Sequence, residues 1–484
     1  MTDRAKRTDN NNDGDIPPVY RIDLSLPPAQ RYVEVARVYR ERMRSLTSLF
    51  DELVESMFPT VNIRWVKHLA RLLLRRLYTH EETEEIKGIS QTTDIPLYLL
   101  VSLNVLLDLL MGCTSGGARC KDSQNADSKM LHFRTLDWDM DGLRQLIVQL
   151  EFVRSPHTEQ VLARSITYVG FVGVLTGVRE NLSVSLNFRP YHDTSKRFGN
   201  VQFYASHILV LLGIRRSISS LLRQCILPPA PTKSGFFTKL WTGARRPAHH
   251  DLSFDAIAAK LPQTPTTAAY IIFSDGKSTT VLEKDYRSAV TRTSSSFIVA
   301  TNNDIGDESI NPTTGTTNRA SPQPQTLRLA GLEELVEDSI ERRTCMQGFW
   351  DMKEKSIQSS HLQTATDRQE QDSLHRARPS GADARQQRQQ QPSMPSSTSS
   401  STSQDYVPQQ GVDKATSKIQ EVTASSAEII EWTSTYPITN EMTHFATVMD
   451  PMEGKIVWVR RYVRPLGGLR EVYEGSLAAS YMRR

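Results

Sequence analysis

The sequence predicts a layered α+β fold, and three observations carry that prediction. The first 110 residues read as helices, the chain after residue 112 turns to short strands joined by tight turns, and the later helices fall in groups between blocks of strands. A strictly alternating series of strand and helix would instead signal a parallel βαβ sheet.

Apolar residues recur at helical spacing over 28–80, through Leu46, Leu49, Phe50, Leu53 and Val54 and again through Trp65, Leu69, Leu72, Leu73 and Leu77, with Pro28 opening the stretch. A further helix is expected over 81–90. Asp94-Ile95-Pro96 starts an apolar helix that runs to Met111, with Asn104 and Asp108 inside it, too short to span a bilayer. Strands are expected over 131–138, 146–154, 165–172 and 182–187, helices over 205–226 and 252–261, and strands again over 268–274, 279–283 and 297–301. Ser274-Asp275-Gly276-Lys277 is a tight turn of the kind that joins antiparallel strands. A final pair covers 444–450 and 455–462.

Composition sets the domain plan. Residues 1–15 are polar and expected to be unstructured; 16–112 form the helical N-terminal segment; 113–355 and 419–470 form the main domain. Residues 356–418, rich in Gln, Ser, Arg and Pro with almost no large apolar side chains, lack the means to bury a core and are expected to be a disordered insertion. Residues 228–251 read as a proline-rich loop, in which Phe236, Phe237, Leu240 and Trp241 lie among Lys233, Lys239, Arg245 and Arg246. That loop is a candidate lip for peripheral membrane contact, or equally a loop packed on its own domain.

The 484 residues are 38% hydrophobic and 23% charged, with a formal net charge of +4. So small an excess gives no concentrated basic face for nucleic acid, though it suits weak contact with an anionic lipid surface. None of the four cysteines, Cys113, Cys120, Cys225 and Cys345, has zinc spacing, and no metal or organic cofactor is implied. The opening MTDRAKRTDNNNDGD has no apolar run of a secretory leader, so the chain as it stands reads as soluble and cytoplasmic.

Cys113 stands where the apolar helix gives way to Thr114-Ser115-Gly116-Gly117, and Arg134 and Asp137 lie in the next expected strand, His132-Phe133-Arg134-Thr135-Leu136-Asp137-Trp138. Alone, these are a small buried cysteine and an ordinary ion pair. Together, a cysteine opening Cys-Thr-Ser followed by an Arg-x-x-Asp-Trp strand resembles the start of the mature chain in the acid ceramidase and N-acylethanolamine acid amidase family, and more distantly the choloylglycine hydrolase and penicillin V acylase group. Other segments agree in family order. They are Pro17 to Pro28 (PPVYRIDLSLPP), Glu84-Glu85-Ile86-Lys87-Gly88-Ile89, Thr93-Asp94-Ile95-Pro96-Leu97, Gly170 to Gly177 (GFVGVLTG), Ser185-Leu186-Asn187, Thr301-Asn302-Asn303-Asp304 and the closing strand pair.

The resemblance implies an αββα N-terminal-nucleophile hydrolase sandwich with a helical N-terminal segment. It also implies self-cleavage between Gly112 and Cys113, after which the two pieces stay associated. Cys113 would then carry a free α-amine, whose reference pKa near ~8 suits a general base acting on its own thiol. Asp137 would hold that amine, Arg134 would depress the thiol's pKa, and Asn302 would donate its side-chain N–H to the oxyanion. Asn187 is a second polar candidate. A late family arginine matches Arg342 or Arg343, with Arg319 as an alternative.

Two residues depart from the pattern. Phe188 stands where the family has Glu, and Gly112 where relatives carry a larger residue. The function expected is hydrolysis of a lipid amide, ceramide first. The alternatives are an N-acylethanolamine, or a non-catalytic lipid-binding relative as Phe188 would suit. Bile-salt or penicillin-like amides fit less well, since the helical segment ahead of Cys113 resembles the ceramidase branch.

Overall fold

The computed structural model describes residues 15–48, 62–106, 112–123, 126–155, 157–190, 199–227, 253–305, 332–376 and 421–467. The chain divides into two compact units, residues 1–352 with 423–484, and residues 353–422. The expected unstructured stretch 1–15 and, of the stretch expected over 356–418, the residues from 377 on lie almost wholly outside the described residues, as do Phe236, Phe237, Leu240, Trp241 and Arg319.

The first unit is built on two sheets. Sheet B has eight strands in the order β1-β4-β5-β6-β7-β8-β9-β10: β1 (Val19–Asp23), β4 (Ile147–Val153), β5 (Ala163–Tyr168), β6 (Thr176–Arg179), β7 (Leu182–Phe188), β8 (Ala269–Ser274), β9 (Thr279–Lys284) and β10 (Ala289–Ser294). All its pairs are antiparallel except β1 with β4. Sheet A is antiparallel, in the order β11-β2-β3-β12-β13: β11 (Phe297–Ala300), β2 (Gly112–Cys120), β3 (Lys129–Asp137), β12 (Thr443–Asp450) and β13 (Lys455–Arg461).

Helices cover the outer faces. The leading segment carries α1 (Val33–Ser45), α2 (Ile63–Leu73), α3 (His80–Thr93) and α4 (Leu97–Leu106). Its Tyr39, Ile86 and Val101 share one core with Leu150, Phe152, Ile166 and Leu186 of sheet B. Next come α5 (Gly199–Leu211), α6 (Ile218–Ile226), which packs on β6 and β7, and α7 (Phe254–Lys260). On sheet A lie residues 332–352 of α8 (Leu332–Arg376), through Trp350 stacked 5.1 Å from Phe297, and α9 (Ser426–Ser434), packed on β3 and β12. The order of layers is therefore helix, sheet, sheet, helix, the αββα sandwich expected.

Several boundaries differ from the sequence reading. The helix expected over 205–226 is two, broken where Gly213 takes a φ of 62°. The segment at Cys113 is itself a strand, β2, and β1, β6, β10 and α9 were not anticipated. Helix α8 continues through 356–376, inside the stretch expected to be unstructured.

The glycines after Cys113 let β2 lie close to its neighbours. A Cβ on Gly117 would come 2.0 Å from Thr279 Oγ1 of sheet B, and one on Gly116 would come 2.5 Å from the Phe133 ring. At the turn after β8, Gly276 takes a φ of 88°, the left-handed region that favours glycine.

Candidate active site

Cross-strand register places the site residues. In the β2–β3 pair Cys113 lies opposite Leu136, Ser115 opposite Arg134, and Gly112 opposite Asp137. Successive strand residues point to opposite faces, so Cys113, Ser115 and Arg134 face sheet B while Asp137 faces the helices. Strand β11 pairs with β2 and brings Ala300 opposite Ser115, which delivers Thr301 and Asn302 to the start of β2. Asn187 comes across from β7.

Arg134 is fully buried and organises the inter-sheet side. Its Nη2 lies 3.4 Å from Cys113 Sγ, and its Nη1 donates to Asn187 Oδ1 at 2.8 Å and Ser115 Oγ at 3.0 Å. The Ser115 hydroxyl donates to the same Asn187 Oδ1 at 2.7 Å, and Asn187 Nδ2 donates to the Ala300 carbonyl at 3.0 Å. Asn187 is thus the hub that locks Arg134 against the thiol.

At the start of the strand, the backbone N–H of Cys113 donates to Asn302 Oδ1 at 2.7 Å. Arg342 Nη2 donates to that oxygen at 3.1 Å, and Arg342 Nη1 is paired with Asp137 Oδ2. The Thr443 hydroxyl holds the other Asp137 oxygen at 2.7 Å. Asn302 is fixed in turn by Ser339 Oγ, which accepts its backbone N–H at 2.6 Å.

Cys113, Arg134, Asp137, Asn187, Asn302 and Arg342 therefore come together, all buried. Of the two late arginines, Arg342 is the one that contacts Asp137 and Asn302. Arg343 instead donates to the Asn303 and Asp304 carbonyls. In the uncut chain two contacts differ from expectation. The amide of Cys113 is held by Asn302 rather than Asp137. The Asn302 Nδ2, expected on an oxyanion, donates to the Phe188 carbonyl at 2.8 Å. Because it is a backbone group of residue 188 that takes this bond, replacing the family's Glu by Phe leaves the contact intact.

Burial outweighs Arg134, which pulls the thiol's pKa down as expected. Burial pushes Cys113 above the usual cysteine range, and the neighbouring Arg134 and Arg342 guanidinium groups only partly offset it. Burial likewise raises Asp137, against the pull of Arg342 and the Thr443 hydrogen bond. Sequence reasoning missed Ser115, Ser339 and Thr443. Ser115 lies inside the Cys-Thr-Ser motif and two residues past Cys113, which is the one signal that could have found it.

Comparisons with known proteins agree with the motifs. A model of the beta subunit of N-acylethanolamine-hydrolyzing acid amidase matches residues 15–78. The N-acylethanolamine-hydrolyzing acid amidase of Caenorhabditis elegans is 30% identical over 181 residues, 35% of this chain and 47% of that protein. The acid ceramidase of Bos taurus is 30% identical over 190 residues, 36% of this chain and 45% of that protein. The matched region thus spans about half the length of these curated relatives. Among solved structures, a Caenorhabditis elegans N-acylethanolamine-hydrolyzing acid amidase ortholog aligns with 70% of this chain and 93% of its own, at 17% identity and a TM-score of 0.38.

Proposed function

Because the chain is a relative of the acid ceramidases and N-acylethanolamine-hydrolyzing acid amidases, we propose that it is a lipid amidase whose nucleophile is Cys113, freed by self-cleavage after Gly112. The observation that carries this reading is the pair of contacts on Cys113: a guanidinium at its sulfur and the Asn302–Arg342 pair at its amide nitrogen.

In the uncut chain Cys113 Sγ attacks the Gly112 carbonyl, a C–S bond forms, and the C–N bond breaks as the nitrogen takes a proton. Water then hydrolyses the thioester, leaving a Gly112 carboxylate and a free α-amine on Cys113. That amine stays beside Asn302 Oδ1 and within the field of Asp137. In a second reaction the amine removes the thiol proton, Sγ attacks the amide of the lipid, and the amine returns the proton to the departing nitrogen. The acyl-enzyme is hydrolysed to the fatty acid.

Ceramide is the substrate put first and an N-acylethanolamine the alternative, since both offer a long acyl chain on a secondary amide. Contact with a lipid surface has support at a place other than the proline-rich loop. Helix α2 exposes Trp65, Leu69 and Leu72 beside Arg64, Lys67 and Arg71, and α5 exposes Val201, Ile208 and Leu209. The turn after α5 abuts the residues after α2, where a Cβ on Gly213 would come 2.7 Å from the Arg76 carbonyl. Trp65→Ser with Leu69→Ser is expected to reduce co-sedimentation with anionic vesicles severalfold while leaving self-cleavage unchanged.

The deciding test is the intact mass of the purified protein through incubation at mildly acidic pH, beside Cys113→Ala. Two fragments dividing between Gly112 and Cys113, absent in the variant, support the reading, and amide turnover by the cut protein is measured next. A wild type that stays whole at every pH sinks it.

A further inference from the structure

The start of β12 contains a bulge. Thr443 lies opposite Asp137 and Phe445 opposite Leu136, so His444 is the one extra residue between two adjacent partners. A bulge re-aims side chains. Here Thr443 turns toward Asp137 on the helix side, and the His444 ring turns between the sheets to Tyr168 at the end of β5. Tyr168 Oη and His444 Nδ1 are 2.7 Å apart, and both residues are buried. Trp138 closes the cluster, its ring 6.2 Å from Tyr168 and 6.3 Å from His444. The His444 carbonyl accepts from Tyr462 N at 2.9 Å, and Arg144 Nη2 donates to the Glu441 carbonyl at 2.6 Å, so the bulge is held from several sides.

We infer that Tyr168 and His444 are positioning residues of this site: their hydrogen bond between the sheets fixes the bulge, and the bulge fixes the Thr443 hydroxyl on Asp137. They act through Thr443, which accepts from Asn440 N at 2.9 Å and donates to Asp137 Oδ1 at 2.7 Å. The inference rests on the proposed reading in one respect, that the ionised Asp137 is the form the site uses.

The charged groups around this network set the sign of the effect. Asp137 meets Arg342 from α8, Arg134 from its own strand and the Thr443 hydroxyl from β12. Tyr168 faces Cys113, Arg134, Asp137 and Arg144 of the turn Asp141–Leu146. Burial drives the Asp137 carboxyl up, while the arginines and the Thr443 hydrogen bond hold it down. Loosening Thr443 therefore raises it further, and the acidic limb of any Asp137-dependent activity moves to higher pH.

The test follows the Asp137 carboxyl directly, by carbon NMR of aspartate-labelled Cys113→Ala protein, with the signal identified by its loss in Asp137→Asn. Tyr168→Phe, which deletes one oxygen, and Thr443→Val are each expected to raise the midpoint by about half a pH unit or more. The double variant should shift no further than Thr443→Val alone, because both act through one contact. His444→Val provides a second break in the same link. A midpoint unchanged in the Tyr168 and His444 variants overturns the inference, whatever Thr443→Val does, and reduces the pair to a bridge between sheets. In protein that retains Cys113, the acidic limb of self-cleavage should move with the midpoint. A wild type that never cuts defeats the amidase reading, while the carboxyl titration still decides the role of the pair.

Discussion

Arg134 and Asp137 are three residues apart in one strand, and that odd spacing puts them on opposite faces of sheet A. One reaches the Cys113 sulfur and the other, paired with Arg342, lies opposite Gly112, so a short motif serves both sides of Cys113. Replacing Arg134 by Gln would leave the thiol buried without its guanidinium and Asn187 Oδ1 with the Ser115 hydroxyl as its remaining donor among those described. Self-cleavage, followed by mass, is expected to slow by about a hundredfold or more. His132, on the same face as Arg134, bridges Ser183 Oγ at 2.7 Å and Ser185 Oγ at 2.8 Å, and burial with the nearby Arg134 charge lowers its pKa from 6.5 to about 3. A histidine kept neutral by folding favours the unfolded state as it gains a proton there. Stability is therefore expected to fall as pH drops from 6.5 toward 3, by about a few kcal/mol, and to level off below. Thermal melts of His132→Asn should lose most of that slope.

The elements explain which parts of this could be read beforehand. Strands rich in Val, Ile, Leu and Phe, such as β4 and β8, declared themselves by composition. Strand β2, Gly-Cys-Thr-Ser-Gly-Gly-Ala-Arg-Cys, did not, because its extended form follows from β3, β11 and sheet B closing around it. Of the cluster around Cys113, the residues Arg134, Asp137, Asn187 and Asn302 were named from sequence and lie together in the structure. The choice between Arg342 and Arg343 was not legible, since successive helical residues differ only in the direction they face. Helix α3 shows a cost that sequence conceals. Its Glu85 takes a bidentate bond from Arg223 of α6, with Nη2 at 2.7 Å, and Arg223 Nη1 also donates to the Val172 carbonyl at 2.7 Å. Arg31 Nη1 reaches Glu85 as well, at 2.9 Å. Arg223→Met leaves the buried Glu85 carboxylate with Arg31 on one oxygen alone and is expected to lower stability by ~3 kcal/mol in urea unfolding. Glu85→Leu added to it should recover part of that loss.

At the scale of the first unit, the residues before Cys113 pack with those after it. Asp15 pairs with Arg461 through both backbone and side chain, Asn104 Nδ2 donates to the Gly170 carbonyl at 2.8 Å, and Asn104 Oδ1 accepts from Val172 N at 2.8 Å. The two pieces of a cut chain are therefore expected to co-elute in size-exclusion chromatography and to separate only under denaturing conditions.

Strand β1 belongs to the leading segment yet forms the outer edge of sheet B, in parallel register from Val19 opposite Gln149 to Asp23 opposite Val153. Without it, β4 would present a row of unsatisfied amides and carbonyls along Ile-Val-Gln-Leu-Glu-Phe-Val, a template for another chain to extend. The leading segment is in this sense an intramolecular guard against polymerisation. A chain begun at Cys113 and expressed alone should assemble into insoluble, β-rich aggregates, and supplying residues 1–112 in trans should keep it in solution.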